Sequence, residues 1–468
     1  MINTTNLTIK EASVLIAKKQ ISATELTQAY LEKAQNLNGK LNSFITISKD
    51  FAKKQSEKVD NLKGSSINPL AGIPIAFKDL YSTKGIKTTA GSKVLEDYVP
   101  AYDATTVSKL KSSGAVIIGK TNLDAWGHGS SGENSDFGPT KNPYDFSRVP
   151  GGSSSGSAVA VASGAALIAT GTDTGSSIRL PAAFCNIVGI KPTYGRVSRY
   201  GIIAMASSLD SIGHFTKTVY DNALVLNATA GKDINDATSS DQKVDDYTKE
   251  IEKGVKGLKI GLPKEYFSEL DRGIKKTTLD AVSKLENLGA KVEEVNLPHT
   301  KYATAAYYII QPSEVSSNLA RYDGIRFGQS REKFSSEAKR RIILGTFTLS
   351  AGYYDAFYLK AMKVRRLIKE DFDKAFKKVD ILICPTSPTL PFKLGEKVED
   401  PLQMYLSDIF VVSQNLAGVP SLNVPCGFIN NLPVGMQIVG PQFSENVLYQ
   451  TGYAYEQATK WYERKPNI

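Results

Sequence analysis

Cysteine and histidine are scarce in this chain, and their scarcity excludes several kinds of site. Its 468 residues include only three of each. The cysteines Cys185, Cys384 and Cys426 are far apart and form no C-x-x-C pair. The sequence therefore predicts neither a zinc site nor a disulfide framework, and it favours a reducing compartment. No two histidines have the spacing of metal ligands, so we expect no metal site.

Long apolar runs and strong charge bias are also missing. The N-terminal residues MINTTNLTIKEAS contain no signal-peptide core. No apolar stretch approaches the roughly 20 residues that span a bilayer. The net charge is +10, from 57 basic and 47 acidic residues, with no dense basic run that would indicate nucleic-acid binding. We therefore expect a cytoplasmic protein that contacts no membrane.

The pattern of apolar residues predicts an α/β fold. Capping-box sequences at 8–11 and 22–25 begin an N-terminal helical layer at about 8–60. Beyond it, apolar segments alternate with helical patterns, which predicts a central mixed β-sheet covered by helices in an α/β/α arrangement. Candidate strands lie at 115–118, 258–262, 291–295, 379–384 and 434–439, and candidate helices at 157–169 and 272–288. We expect a single domain over 1–468, with a catalytic core at about 67–220 and a mostly helical insertion at about 304–377.

The most informative stretch is 151–179, where two Gly/Ser loops flank a helix of small residues. The loops read GGSSSGS at 151–157 and TDTGSS at 172–177. Glycine permits unusual backbone angles, and consecutive N–H groups in such a turn can converge on one developing negative charge. The stretch indicates a serine nucleophile beside an oxyanion hole. No histidine lies nearby in the sequence.

A phosphate-loop match at 114–121, GAVIIGKT, is better interpreted as a strand. The pattern G-x-x-x-x-G-K-[ST] needs a solvent-reaching loop after a strand. Here the middle of the motif is Val-Ile-Ile, which favours a buried strand, and the residues before it are polar. We expect no nucleotide site at this position.

From the residues alone, the general base could be either a lysine or a histidine. Lys78 follows an apolar stretch, and burial would lower its pKa to a range useful for a base. From the pattern alone, however, an ordinary strand-end lysine in water is the simpler interpretation. A Ser-His-Asp triad can be built from distant residues. His128 lies in a Gly-rich segment that could line a pocket, whereas His214 and His299 suit packing or surface roles.

Three segments together resemble the amidase signature family. They read GIPIAFKD at 72–79, GGSSSGS at 151–157 and GTDTGSSIRLPA at 171–182. The resemblance implies that fold and a Ser–cis-Ser–Lys triad, in which Ser177 is the nucleophile, Ser153 the bridging serine and Lys78 the base. It also implies a cis peptide bond before Ser153.

The same resemblance implies the groups around the triad. The backbone N–H groups of Thr174, Gly175, Ser176 and Ser177 would form the oxyanion hole. Ser154 and Arg179 would support the two loops from behind.

Further segments resemble the branch of the family that serves tRNA-dependent amidotransferases. They lie at 191–201, 317–328, 349–355 and 415–420. This resemblance implies glutamine as substrate, with Arg341 binding its carboxylate, Asp408 its ammonium group and Tyr307 a further contact. Without the resemblance, Arg341 and Asp408 would be ordinary surface charges on helices.

The branch also implies a role in a larger assembly. The chain would be the glutaminase component of a heterotrimer, with B-type and C-type subunits as its partners. Its ammonia would convert Glu-tRNA(Gln) to Gln-tRNA(Gln) on a partner, which is the activity of glutaminyl-tRNA synthase (glutamine-hydrolysing), a carbon–nitrogen ligase. The chain itself would hold no cofactor, and ATP and Mg²⁺ would bind the partner. The alternatives are a free-standing amidase acting on other small amides and a catalytically inactive scaffold.

The sequence departs from the family pattern at several positions near the expected pocket. Ser176 and Ser155 stand where glycine is common. The run Ala-Trp-Gly-His at 125–128 replaces an acidic-aromatic-Ala-Met run, His214 stands where proline is frequent, and the segment at 328–339 is short. These departures bear on the substrate pocket more than on the type of reaction.

Overall fold

A mixed β-sheet forms the centre of the computed structural model, which describes residues 2–62, 68–268, 270–398 and 400–468. The eleven strands found in these residues are β1 (Phe44–Ile47), β2 (Pro74–Lys78), β3 (Val116–Thr121), β4 (Ile168–Asp173), β5 (Val188–Lys191), β6 (Ser211–Thr216), β7 (Lys259–Pro263), β8 (Lys291–Val295), β9 (Ile381–Pro385), β10 (Ser421–Ile429) and β11 (Leu432–Val439). The strand order is β1-β3-β2-β4-β6-β5-β10-β11-β9-β7-β8. Strand β2 pairs in parallel with β3 and β4, and β7 with β8 and β9; the other pairs are antiparallel. The predicted mixed sheet is confirmed.

Helices cover this sheet. In the same described ranges they are α1 (Ile9–Ala17), α2 (Ala23–Leu41), α3 (Lys49–Asp60), α4 (Thr105–Ser112), α5 (Ser155–Ala162), α6 (Arg179–Phe184), α7 (Val219–Thr229), α8 (Arg272–Asn287), α9 (Ala303–Leu319), α10 (Ser336–Thr348), α11 (Lys360–Ala375), α12 (Pro401–Leu406), α13 (Val412–Ala417) and α14 (Glu445–Thr459). A π-helical segment, Tyr354–Leu359, leads into α11.

Local sequence signals explain the N-terminal layer. Thr8 and Ser22 cap α1 and α2, and each exchanges hydrogen bonds with a glutamate three residues later, which confirms both predicted capping boxes. The buried faces of these helices carry mostly apolar side chains, which pack into the same core as the sheet. The predicted helical character of 304–377 agrees with α9, α10 and α11, which pack on one another.

The helix predicted at 157–169 is wrong in its second half. Helix α5 ends at Ala162, and Gly164 then adopts a left-handed φ of +74° that ends helical geometry. The following apolar residues form β4, which pairs with β2 and β6. A short apolar run suits a buried strand as well as a buried helix, so its pattern could not separate the two. Thr172 and Asp173, expected in a loop, therefore end a strand.

The phosphate-loop match forms strand β3, as predicted from its apolar middle. All six residues of β3 are buried. The Lys120 amine lies 3.0 Å from Asp79 Oδ1 and donates to Thr88 Oγ1 over 2.6 Å. The amine of the motif's lysine is thus bonded to Asp79 and Thr88 inside the core.

Two of the three histidines have structural partners. His214 lies on β6, with Nε2 2.8 Å from the carbonyl oxygen of Asn222, and burial lowers its pKa to about 4. His299 Nδ1 lies 3.0 Å from the Asp371 carboxylate. Within the described residues, no helix is both long and apolar enough to cross a bilayer. The same residues contain no cluster of His, Cys, Asp and Glu arranged to hold a metal ion.

Candidate active site

Lys78 ends strand β2 and points its amine at the first Gly/Ser loop. Its Nζ donates hydrogen bonds to Ser153 Oγ and to Thr172 Oγ1, both over 2.8 Å. The side chain is fully buried, and its backbone N–H donates to Thr170 Oγ1 on the neighbouring β4. The strand-end lysine is therefore held inside the protein and not in water.

Burial decides the charge of this lysine. Removal from water lowers the pKa of Lys78 to about 7, and the negative charges of Asp124, Asp173 and Asp210 oppose part of that fall. A large share of the lysine is thus neutral near pH 7. In that state its nitrogen has a lone pair with which to accept a proton.

Backbone hydrogen bonds on either side of Ser153 hold its loop in place. The Gly152–Ser153 peptide bond is cis, as the family resemblance implied. The Gly152 N–H donates to the carbonyl oxygen of Ser130 over 2.9 Å, and the Asp124 N–H donates to that of Ser153 over 3.1 Å. Ser153 itself is buried. Its hydroxyl is therefore held in one place beside the lysine.

Ser177 lies in the second loop, directly beside the first. The Ser154 N–H donates to the carbonyl oxygen of Ser177 over 3.2 Å, which joins the two loops next to Ser153. Within the described part of the chain, no protein acceptor receives a hydrogen bond from the backbone N–H groups of residues 174–177. These are the donors expected for the oxyanion hole, and four neighbouring amides without protein acceptors suit that task.

A buried ion pair supports the second loop. The Arg179 Nη2 donates to Asp173 Oδ1 and to the carbonyl oxygen of Gly175, each over 3.0 Å. Asp173 Oδ2 accepts from the N–H of Ile178 over 3.1 Å. Ser154 Oγ donates to the carbonyl oxygen of Thr172 over 3.3 Å. Arg179 and Ser154 thus both contact the second loop, and their supporting role stays a prediction.

Tyr307 on α9 packs against the second loop at Gly175. A Cβ atom built on Gly175 would lie 2.7 Å from both Cζ and the hydroxyl oxygen of Tyr307. Only glycine leaves room for this ring. The contact brings the first of the three predicted substrate-binding residues to the predicted oxyanion loop.

Asp408 is buried beside Ser130 and Tyr308. Its Oδ2 accepts hydrogen bonds from Ser130 Oγ over 2.8 Å and from the Tyr308 hydroxyl over 2.9 Å. Its Oδ1 accepts no hydrogen bond within the described residues. Burial raises the pKa of Asp408, while the hydroxyls of Ser130, Ser176 and Tyr308 hold it below the value that burial alone would set. The unexpected Ser176 side chain therefore lies near enough to Asp408 to affect its pKa.

Arg341 on α10 is nearly inaccessible to solvent. Its Nε donates to Glu337 Oε1 and its Nη1 to Gln311 Oε1, both over 2.7 Å. The guanidinium carbon lies 5.3 Å from the centre of the Tyr308 ring. Tyr308 thus contacts both Arg341 and Asp408, and the two predicted charges lie in one buried cluster.

Sequence analysis did not identify several residues of this site. Thr172 holds the Lys78 amine, Ser130 and Tyr308 hold Asp408, and Gln311 and Glu337 orient Arg341. The sequence indicates only two of them: Tyr308 follows Tyr307 directly, and Glu337 lies one helical turn before Arg341.

Comparison with known proteins agrees with this geometry. A family model described as Amidase matches residues 25–449, and the chain belongs to this family. The A-type subunit of the glutamyl-tRNA(Gln) amidotransferase of Carboxydothermus hydrogenoformans is 54% identical, over 99% of both chains. The protein of the same name from Persephonella marina is 53% identical, over 94% of this chain and 95% of the relative.

Solved structures have the same architecture. The crystal structure of the A-type subunit of glutamyl-tRNA(Gln) amidotransferase from Thermotoga maritima has a TM-score of 0.85 and 44% identity, covering 98% of this chain and 96% of that one. The native peptide amidase from Stenotrophomonas maltophilia also has a TM-score of 0.85, with 33% identity over 99% of both chains. The expected amidase signature fold is confirmed.

Proposed function

We propose that this chain hydrolyses the side-chain amide of glutamine to glutamate and ammonia. The observation that carries the proposal is the hydrogen bond from the buried Lys78 amine to Ser153, beside the loop that contains Ser177. The full-length similarity to the A-type subunits of glutamyl-tRNA(Gln) amidotransferases supports glutamine as the substrate.

The reaction proceeds through an acyl-enzyme. Neutral Lys78 accepts a proton from Ser153, which accepts one from Ser177, and Ser177 Oγ attacks the amide carbonyl. The N–H groups of 174–177 stabilise the resulting oxyanion. The C–N bond then breaks, and the proton returns through Ser153 to the leaving nitrogen, which departs as ammonia. Water attacks the acyl-enzyme by the same proton route and releases glutamate.

Two buried charges suit the two ends of a free amino acid. The guanidinium of Arg341 binds the α-carboxylate, and Asp408 binds the α-ammonium group through Oδ1. Tyr307, which packs against the second loop at Gly175, provides a further contact for the substrate. A peptide carries its ammonium and carboxylate groups on different residues and an aryl amide needs neither, so the arrangement favours glutamine over the substrates of a free-standing amidase.

The ammonia serves a second reaction on partner proteins. In the proposed heterotrimer, the B-type partner holds ATP and Mg²⁺, activates Glu-tRNA(Gln) and forms Gln-tRNA(Gln), while the smaller C-type partner joins the pair. This chain needs no cofactor for its half-reaction. Because charged tRNA is a cytoplasmic substrate, the complex works in the cytoplasm.

The test is coexpression with genes for the B-type and C-type partners, purification of the complex and assay of glutamate release from glutamine. We expect release by the wild type, and conversion of Glu-tRNA(Gln) when ATP is added. A chain that forms no complex and prefers other small amides would instead be a free-standing amidase. A complex without glutamate release would indicate an inactive scaffold.

A further inference from the structure

His128 is a buried histidine that the proposed reaction does not use. Its side chain is about 1% exposed. Among the residues that the structure describes, neither Nδ1 nor Nε2 has a hydrogen-bond partner. Each ring nitrogen is a donor or an acceptor, and leaving such a group buried and unpaired costs about 1–3 kcal/mol. A partner is therefore expected from outside the chain.

The backbone segment that carries His128 connects two parts of the site. Residues 125–130, here called the pocket turn, contact Ser153 at one end and Asp408 at the other. At one end, a Cβ built on Gly127, whose φ is +80°, would lie 3.7 Å from Ser153 Oγ. At the other, Ser130 Oγ donates to Asp408. In sequence, His128 lies between these two contacts, and its side chain is buried.

The pocket turn is itself held firmly. The Trp126 ring packs on Tyr322 and Phe334, with centroid distances of 4.8 and 5.2 Å. The His128 N–H donates to the carbonyl oxygen of Ala125 over 2.9 Å, and its carbonyl oxygen accepts from Asn134 Nδ2 over 3.2 Å. The backbone groups of His128 are thus satisfied, and only its imidazole is left without a partner in the described part of the chain.

A chain of contacts connects the pocket turn to Arg341: Ser130 donates to Asp408, Asp408 accepts from Tyr308, and the Tyr308 ring lies 5.3 Å from the Arg341 guanidinium carbon. Burial lowers the pKa of His128 well below its usual range, and the positive charge of nearby Arg341 lowers it further. Nε of Arg341 is bonded to Glu337 and one N–H of Nη1 to Gln311, so the second N–H of Nη1 and both of Nη2 remain as donors toward a ligand. An anion seated there would meet a second N–H donor on a neutral imidazole.

We propose that His128 donates a hydrogen bond to the α-carboxylate of the substrate, alongside Arg341, and so determines specificity for amides that carry this carboxylate. The inference rests on the proposed function, because it takes glutamine as the ligand of Arg341. It gives a role to one of the departures from the family pattern, since methionine, frequent at this position, has no N–H to offer.

The test compares His128→Met with His128→Gln in the coexpressed complex. Methionine fills similar space without a donor, whereas glutamine keeps an N–H. Hydrogen bonds to charged groups contribute about 1.5–3 kcal/mol, so we expect His128→Met to raise the KM for glutamine about tenfold or more. His128→Gln should recover most of the loss. His128→Leu is a second apolar variant that carries the test if methionine disturbs folding.

Two truncated ligands separate the carboxylate from the other contacts. 4-Aminobutanamide lacks the α-carboxylate, and glutaramate lacks the α-ammonium group. As competitive inhibitors, glutaramate should bind His128→Met about tenfold or more weakly, whereas 4-aminobutanamide should bind as it does to the wild type. Equal losses for both ligands, loss for 4-aminobutanamide alone, or no loss for either would overturn the proposal.

Failure of the proposed function gives a different result. A wild-type complex that releases no glutamate refutes the glutaminase proposal, whereas an active wild type with an unchanged KM in His128→Met refutes only the role of His128. Calorimetric binding of glutaramate to both complexes reports the carboxylate contact even without turnover. His214→Met is the matched control. It removes a second buried histidine, one bonded to Asn222, and should lower Tm with KM within about threefold of the wild type.

Discussion

The side-chain amine of Lys78 donates a hydrogen bond to Ser153 Oγ over 2.8 Å, and both side chains are buried where they meet. This contact joins the end of strand β2 to the loop before α5, which are 75 positions apart in sequence. Under the proposed function, it also accounts for a serine site that uses no histidine. A desolvated lysine with a pKa of about 7 can accept the proton instead.

Replacement of the proposed nucleophile should abolish glutamate release. Ser177→Ala removes the attacking oxygen, and we expect kcat to fall by about 10⁴-fold or more. Ser176→Ala removes the neighbouring hydroxyl, which lies near Asp408, so kcat should stay within about tenfold of the wild type. Steady-state assay of the two complexes distinguishes them. If Ser176→Ala is the inactive variant, the nucleophile has been assigned to the wrong serine.

The activity should depend on the protonation of Lys78. Only the neutral amine accepts a proton, and burial lowers its pKa to about 7. We therefore expect kcat/KM for glutamine to rise with pH through about 7 and then level off. Lys78→Arg should be inactive at every pH, because a guanidinium does not lose its proton in this range. A profile that is flat between pH 6 and 8 would contradict a lysine base.

The same lysine should make stability depend on pH. Between about pH 7 and 10, unfolded Lys78 holds a proton that the folded protein does not. Stability therefore rises with pH where the unfolded state binds more protons. Relative to Lys78→Met, the free energy of unfolding of the wild type should increase by about 1.4 kcal/mol per pH unit. Urea unfolding at pH 7.5 and 9.5 measures this change. A constant difference between the two proteins would show that folded Lys78 keeps its ordinary pKa.

Two neighbouring arginines allow a matched test of substrate binding. Arg341 is buried in the site, whereas Arg340 is about 44% exposed on its side chain, and both form an ion pair with Glu337. Loss of a buried charge partner costs about 2–5 kcal/mol, so Arg341→Gln should raise the KM for glutamine about 30-fold or more. Arg340→Gln should change it less than about threefold. Similar effects of both variants would point to the helix as a whole and not to the carboxylate contact.

The catalytic segments could be predicted because each is local. The segments around Lys78, Ser153 and Ser177 are short and continuous, so their combination identifies the family without knowledge of the packing. The end of α5 could not be predicted in the same way, because the apolar residues before β4 suit either a helix or a strand until their neighbours are known.

The contacts that complete the pocket lie beyond local patterns. Ser130 and Asp408 are hydrogen-bonded although they are 278 positions apart, and no periodicity links them. The same holds for the contact between Gly175 and Tyr307. Ser176 is unexpected in its loop by sequence, and its effect on the pKa of Asp408 depends on the packing of two segments that are far apart in the chain.

The buried cluster divides between two parts of the chain. Lys78, Ser153 and Ser177 belong to the ends of β2 and β4 and the loops beside them, whereas Tyr307 and Arg341 stand on α9 and α10. Under the proposed function, the groups that cleave the bond and two of the groups that bind the substrate are thus supplied by different elements. Substitutions on α9 and α10 can therefore change which amide binds while the reacting groups stay in place, which is one way for a single fold to host many amidases.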